Sequence, residues 1–346
     1  MIKTNITEMF GIKYPILSAP MGPFYTQELA TAVSEAGGMG ILSEIGLWGV
    51  DPLPEMKKHM EFVVEHTDKP FGFNVRTSRN EMPMAVRMCR ENPKFIMDNQ
   101  KIKEQCIYAV TSAGSSKVMP ESKSFQKLKE TSSQIKHFHV APAFWLAEKC
   151  VKYGVDGLCV TGIEGGGHQA YEKVGTNVLM AQVQQSFPDI PKIAAGGIGT
   201  GIQLAGALAM GYGGIVMGTR FIASDECEFP QPFKDLIPSA KAEDTVLIQG
   251  VLANIRVYNN KYAQKHYGSI SKEEKLEYET KFIATDQWKE DVLSYDRVYE
   301  GDVVNTCVPM GEAAGVVQKI EKVSDIIETV MKEAENYIKN ITSLIE

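Results

Sequence analysis

The sequence has little that would carry it to a nucleic acid or into a membrane. Lysine and arginine total 36 against 43 aspartate and glutamate, a net charge of −7, so no basic excess accumulates to attract polyanions or anionic lipid. No apolar run approaches the roughly 18 residues of a membrane span. The opening MIKTNITEMF lacks a basic stretch followed by an apolar one, so no signal peptide is expected. The six cysteines, at 89, 106, 150, 159, 227 and 307, include no C-x-x-C pair and no Cys/His cluster at zinc-ligand spacing, so no metal site is expected. Free thiols of this kind suit a reducing cytoplasm. A G-x-G-x-x-G between a strand and a helix is also missing, which disfavours a Rossmann domain.

What is present is rhythm. Eight short runs, apolar on both faces, recur at Tyr14–Ala19, Met39–Ser43, Phe71–Val75, Cys106–Thr111, Phe138–Ala141, Gly157–Thr161, Lys192–Ala195 and Gly214–Met217. Strands of that type belong to a parallel sheet covered by helices. Helical patterns fall between them: Thr26–Ala36 before Gly37-Gly38, Pro83–Asn92 stopping before Pro93, Ala143–Tyr153 before Gly154, and Ile202–Met210 before Gly211. Eight βα repeats within about 220 residues predict a closed (β/α)8 TIM barrel, with an open doubly wound sheet as the alternative. The barrel is expected over residues 1–224. Residues 225–305, richer in charge and aromatics, are expected to form a helical lid. Residues 306–346 would return to the barrel, ending in an amphipathic helix that packs on its exterior through Ile326, Ile327, Val330 and Met331.

Glycine clusters stand at four predicted strand ends: Gly22 after Pro20-Met21, the run from Gly162 to Gly167, Gly196-Gly197, and Gly218-Thr219. In a barrel these ends form the active-site face, and loops after the last two strands commonly hold phosphate. Glycine lets main-chain N–H groups approach an anion closely, and the helix expected near Gly201 would add its positive end. Tight turns alone are the alternative reading of these glycines.

The stretches YPILSAPMG, LATAVSEAGGMGIL, FGFNV, GVDGLCVTGIEGGGH, PKIAAGGI and IVMGTRF resemble, in order and spacing, the nitronate monooxygenase (2-nitropropane dioxygenase) family, which is related to FMN-dependent enoyl-acyl-carrier-protein reductases. The likeness covers about residues 8–225, with weaker echoes in ANIRVYNN (253–260) and GEAAGVV (311–317). It implies a barrel holding FMN non-covalently at its C-terminal face. It implies that Ala19, Pro20, Met21 and Gly22 lie against the flavin, that Asn74 hydrogen-bonds it, and that Glu164, Gly166, Gly167 and Gln182 border it. Ala195, Gly196, Gly197, Met217, Gly218 and Thr219 would then surround the phosphate, and His168 would be the catalytic residue. The sequence departs from the family pattern at Gly165, usually alanine, at Ala181, usually proline, at Glu312, usually glutamine, and at His139, where a small or apolar residue is usual.

The activity so implied is oxidation of an alkyl nitronate to a carbonyl compound and nitrite with oxygen. NAD(P)H-linked reduction of an enoyl thioester is the alternative, and a flavin-binding protein without turnover the third reading. A small-molecule substrate and a homodimer are the expected partners. Arg76 is a candidate counter-charge for reduced flavin, whereas Lys192, at the opposite strand end, is not. Arg256, Tyr258 and Trp288 are candidates for shaping the substrate pocket from the lid.

Overall fold

The computed structural model describes residues 2–47, 49–132, 134–250, 253–266, 268, 271, 274, 277 and 286–344, with backbone alone at 80 and 286–292. Eight parallel strands follow the expected rhythm: β1 (Ile16–Ser18), β2 (Gly40–Leu42), β3 (Phe71–Arg76), β4 (Cys106–Ser112), β5 (Lys136–Ala141), β6 (Gly157–Thr161), β8 (Lys192–Ala195) and β9 (Ile215–Met217). They are joined in the order β1-β9-β8-β6-β5-β4-β3-β2. The ring closes where Leu17 bridges Met39, with Ser18 N donating to Met39 O and Met39 N to Ile16 O, each at 3.0 Å. The sheet is therefore a barrel rather than an open layer.

Its interior is filled by alternate strand residues, among them Leu17, Ile41, Val110, Phe138, Ile193 and Val216. The helix Asn5–Phe10, fastened by a capping box between Thr4 and Thr7, plugs the N-terminal end, where Phe10 meets Tyr108 edge-on at 5.2 Å. Gly72 makes room for Tyr108; a Cβ there would lie 2.6 Å from the ring. Lys192 closes the same end, its ammonium donating to the carbonyls of Phe187, Pro188 and Ile190. It lies away from the C-terminal face, as expected.

Two elements differ from the sequence reading. The helix expected to stop before Pro93 runs from Met82 to Asp98. Its buried face (Ala85, Met88, Cys89, Asn92, Pro93, Ile96) continues past the proline, and that burial outweighs the one missing backbone donor. The segment after 225 is not only helical. Besides helices Gln231–Leu236, Lys261–Lys265 and Asp286–Tyr299 it holds an antiparallel hairpin, β10 (Thr245–Gln249) and β11 (Asn254–Tyr258). Strand β11 also pairs with a two-residue strand, β7 (Gly167–His168), so this sheet grips the loop after β6. The final helix Val323–Thr342 buries Val323, Ile326, Ile327, Val330, Met331 and Ala334 on the barrel exterior, beside helix Gly201–Ala209. No described helix is long and apolar enough to cross a membrane.

His139 points outward from the barrel wall. Its neighbour Phe138 fills the interior, and successive strand residues face opposite sides. The Thr111 hydroxyl bridges His139 Nδ1 (2.6 Å) and His137 Nε2 (2.8 Å). Burial lowers the His139 pKa to about 4, opposed by the Gly114 carbonyl, and holds His137 well below its usual value. Both rings are thus neutral in the folded state, and below the unfolded value near 6.5 the unfolded chain binds more protons. The stability they contribute is full above pH 6.5 and is lost as pH falls toward 4. For His139 alone this reaches about 3 kcal/mol, from about 1.4 kcal/mol per pKa unit. Urea unfolding at pH 7 and pH 4.5 is expected to show this drop, and His139→Asn to flatten it. An unchanged slope in the variant would exclude His139 as its source.

Candidate active site

The C-terminal strand ends converge on a cavity of about 240 Å³. The loop after β1 forms one wall. Met21 N donates to Ser43 Oγ at 2.7 Å, and Thr26 Oγ1 donates to the same oxygen at 3.0 Å. Gly22 sits flush against the Glu44 carbonyl, where a side chain would collide. On β3, Asn74 faces the cavity, and its Nδ2 donates to Val110 O and Ser112 Oγ, both at 3.1 Å. Its amide oxygen has no partner among the described residues. A buried amide held by one end leaves the other for a ligand.

Arg76, two residues further along β3, also lines the cavity. Its Nε and Nη2 lie 3.3 Å from Glu44 Oε1, and Nη2 lies 3.4 Å from Glu81 Oε1. Burial pushes the Glu44 carboxyl up, while the Arg76 guanidinium and backbone N–H oppose that. Arg76 therefore reaches the cavity with a carboxylate already beside it.

The opposite wall is main chain. Gly196 and Gly197 have φ of +93° and +72°, a left-handed pair that glycine alone adopts readily. A Cβ on Gly196 would lie 2.8 Å from Gly162 N and O, and one on Gly197 2.8 Å from Glu164 Cβ. Gly218 and Thr219 complete this wall and open the short helix Thr219–Ile222. Among the described residues, the backbone N–H groups of Gly197, Gly218 and Thr219 have no acceptor. Unpaired amides at the ends of the last two barrel strands are the kind of donor that receives a phosphate. The helix at Gly201 does not contribute as expected. Gln203 Oε1 already accepts from Gly199 N and Thr200 N, and Glu333 Oε2 accepts from Gly201 N at 2.9 Å.

His168 stands at the cavity lip on β7, exposed and paired opposite Ile255. Beneath it run Gly165, Gly166 and Gly167. Gly166 is pressed against the C-terminal segment, since a Cβ there would lie 2.6 Å from Gly311 N. Gly311 N donates to Thr219 Oγ1 at 3.0 Å, so the Thr219 hydroxyl accepts from the protein itself. Phe24, Phe229 and Tyr295 form an aromatic rim, with Phe24 and Phe229 ring centres 4.5 Å apart.

Of the residues expected at the site, Ala19, Pro20, Met21, Gly22, Asn74, Gly166, Gly167, His168, Ala195, Gly196, Gly197, Gly218 and Thr219 all line the cavity. Three do not. Gln182 is exposed on helix Thr176–Ser186. Met217 is buried in the outer core, because its neighbour Val216 takes the inward position. Glu164 stands behind the wall, its carboxylate accepting from Thr176 N and Oγ1. His139 is excluded by strand alternation. Arg256 and Tyr258 lie outside the cavity, which Ile255 and Tyr295 line instead; the Trp288 side chain lies outside the described residues. Pro309, Gly311 and Ala313 also line the cavity. The GEAAGVV echo marked two of them without indicating what they touch.

A barrel whose strand-end cavity gathers a glycine wall, the Asn74 amide and His168 at its lip has the place of an active site in this class of fold. A model of the nitronate monooxygenase family matches residues 3–333. The chain belongs to that family, whose enzymes are flavin-dependent. A curated relative, (3aS,4S,5R,7aS)-5-hydroxy-7a-methyl-1-oxo-octahydro-1H-indene-4-carboxyl-CoA dehydrogenase of Mycobacterium tuberculosis, is 32% identical over 71% of this chain and 63% of its own length. The chain thus spans less than two thirds of that relative. A probable nitronate monooxygenase of Staphylococcus saprophyticus is 30% identical over 71% of this chain and 75% of its own. FabK from Thermotoga maritima superposes with a TM-score of 0.80 at 32% identity, covering 100% of both chains. A nitroalkane oxidase from Streptomyces ansochromogenes, 22% identical with a TM-score of 0.73, covers 97% of this chain and 99% of its own and shares the fold.

Proposed function

We propose that the cavity holds FMN and that the enzyme oxidises alkyl nitronates to a carbonyl compound and nitrite, with oxygen as the final acceptor. The observation that carries this reading is His168 at the lip of the same cavity whose far wall is the unpaired Gly197, Gly218 and Thr219 amides. Those amides, with Gly196, would hold the phosphate, and the Asn74 amide oxygen would accept from the ring system. FMN, when bound, supplies the electron-accepting chemistry. His168 donates a hydrogen bond to the nitro oxygens, or takes the α-proton when the substrate arrives as a neutral nitroalkane, work suited to an imidazole near neutral pH. Phe24, Phe229 and Tyr295 exclude water and accommodate the alkyl part.

One observation favours a second reading, reduction of an enoyl thioester with NAD(P)H. The FabK match runs the whole length of both chains, including the segment after 225 that covers the cavity. Anaerobic titration of the purified yellow protein separates the two. Bleaching by ethylnitronate without NAD(P)H is the expected result. Bleaching by NADPH alone, with none by nitronate, would replace the first reading by the second.

A further inference from the structure

We propose that Arg256 is a positioning residue for the reaction: it fixes the backbone that carries His168 by tying the loop before it to the hairpin and to the C-terminal segment. The inference rests on the reading of His168 as the proton-handling group.

The stretch before His168 is tied only in part from within: Gln169 Nε2 donates to Gly165 O at 2.6 Å and to Gly166 O at 3.4 Å, and Gly165 N to Gly162 O at 3.2 Å. Gly165, Gly166 and Gly167 have no side chains to anchor them, and glycine loses the most conformational freedom on ordering. Among the described residues, the two residues of β7 pair with β11 alone, His168 opposite Ile255 and Gly167 opposite Arg256. The Arg256 side chain turns away from the cavity and is nearly buried. Its Nε donates to Ile163 O at 2.9 Å, its Nη1 to Thr245 Oγ1 at 3.1 Å, and its Nη2 lies 3.1 Å from Glu312 Oε1. One planar fork thus joins the loop after β6, the start of the hairpin and the C-terminal segment.

The same junction is closed by main chain. Glu312 N donates to Glu164 O at 2.9 Å, Met310 N to Arg256 O at 3.3 Å, and Gln169 N to Asn254 O at 2.8 Å. The chain from Ile163 to Gln169 is therefore held at both ends and in its middle, with Arg256 on its outer side. A lysine, with one nitrogen, cannot reach all three acceptors in the geometry that a guanidinium presents. Removing the fork also leaves the Ile163 carbonyl and Glu312 carboxylate short of a partner.

The test compares Arg256→Met, Arg256→Ala and Glu312→Gln in the full-length protein. In the apoprotein, amide hydrogen exchange across 165–169 is expected to rise at least about tenfold in Arg256→Met and less in Glu312→Gln, with β3 to β5 unchanged. In the FMN-loaded enzyme, kcat for ethylnitronate is expected to fall at least about tenfold with KM nearly constant. The limb of the pH profile that depends on His168 should move, and added guanidinium should partly restore Arg256→Ala. Wild-type exchange at 165–169 and a wild-type pH profile in Arg256→Met would overturn the proposal. Should that variant not fold, Thr245→Val and Glu312→Ala each remove one side-chain acceptor of the fork, and unchanged exchange in both would overturn it equally. Wild-type turnover in His168→Ala would instead sink the functional reading, while the exchange experiment still decides whether Arg256 holds the loop.

Discussion

Replacing His168 with alanine is expected to lower kcat/KM for a nitroalkane or its nitronate at least about 100-fold while the protein stays folded and yellow. A positioned acid or base typically contributes about 10² to 10⁴ in rate. His168 is exposed at the lip, and its backbone pairs with β11, so the alanine variant keeps the strand and loses only the ring. The loss should be larger for neutral nitroalkanes, which must give up a proton, than for preformed nitronates, which need only a hydrogen bond. Stopped-flow reduction of the bound flavin by each substrate measures the two separately. Equal rates in variant and wild type for both substrates would remove His168 from the chemistry.

The second large effect is expected at Gly196. With φ of +93°, an alanine there adopts a left-handed backbone that disfavours L-residues by about 1–2 kcal/mol, and its methyl group would press on Gly162 and Thr176 Oγ1 at under 3 Å. The wall must shift, and with it the neighbouring amides of Gly197. Gly196→Ala is expected to bind FMN at least about tenfold more weakly, each factor of ten being about 1.4 kcal/mol, and to purify with substoichiometric flavin. Gly206→Ala is the control: that site, in the helix Gly201–Ala209, has open space around it, and alanine there favours the helix by up to about 1 kcal/mol. Fluorescence titration of the apoproteins with FMN reads both. Wild-type affinity in Gly196→Ala would mean that this wall does not hold the cofactor.

The outcome at individual positions follows from what kind of interaction each depends on. Gly196 and Gly197 were legible because a left-handed backbone at a strand end leaves a glycine in the sequence. Asn74 was legible because an amide in an apolar strand needs a partner. Met217 was misplaced because a short strand that is apolar on both faces does not reveal which residue points inward. Gln182 was carried over from the family pattern, and helix Thr176–Ser186 leaves it exposed and away from the cavity lining. The tie from Arg256 to the Ile163 carbonyl left no local signal, since its partners lie 93 residues apart.

The sequence by itself therefore determined the alternating strands and helices, the barrel, and the strand ends that carry the glycines and His168. Local periodicity and backbone freedom act within a few residues and are written there. Only the tertiary structure decided which side of each strand faces the cavity and which helix end keeps its amides. It also decided that Thr245–Gln249, Asn254–Tyr258 and residues 309–313 close on the histidine loop. Those outcomes are set by packing and hydrogen bonds between segments distant in the chain, whose partners become neighbours only when the barrel closes.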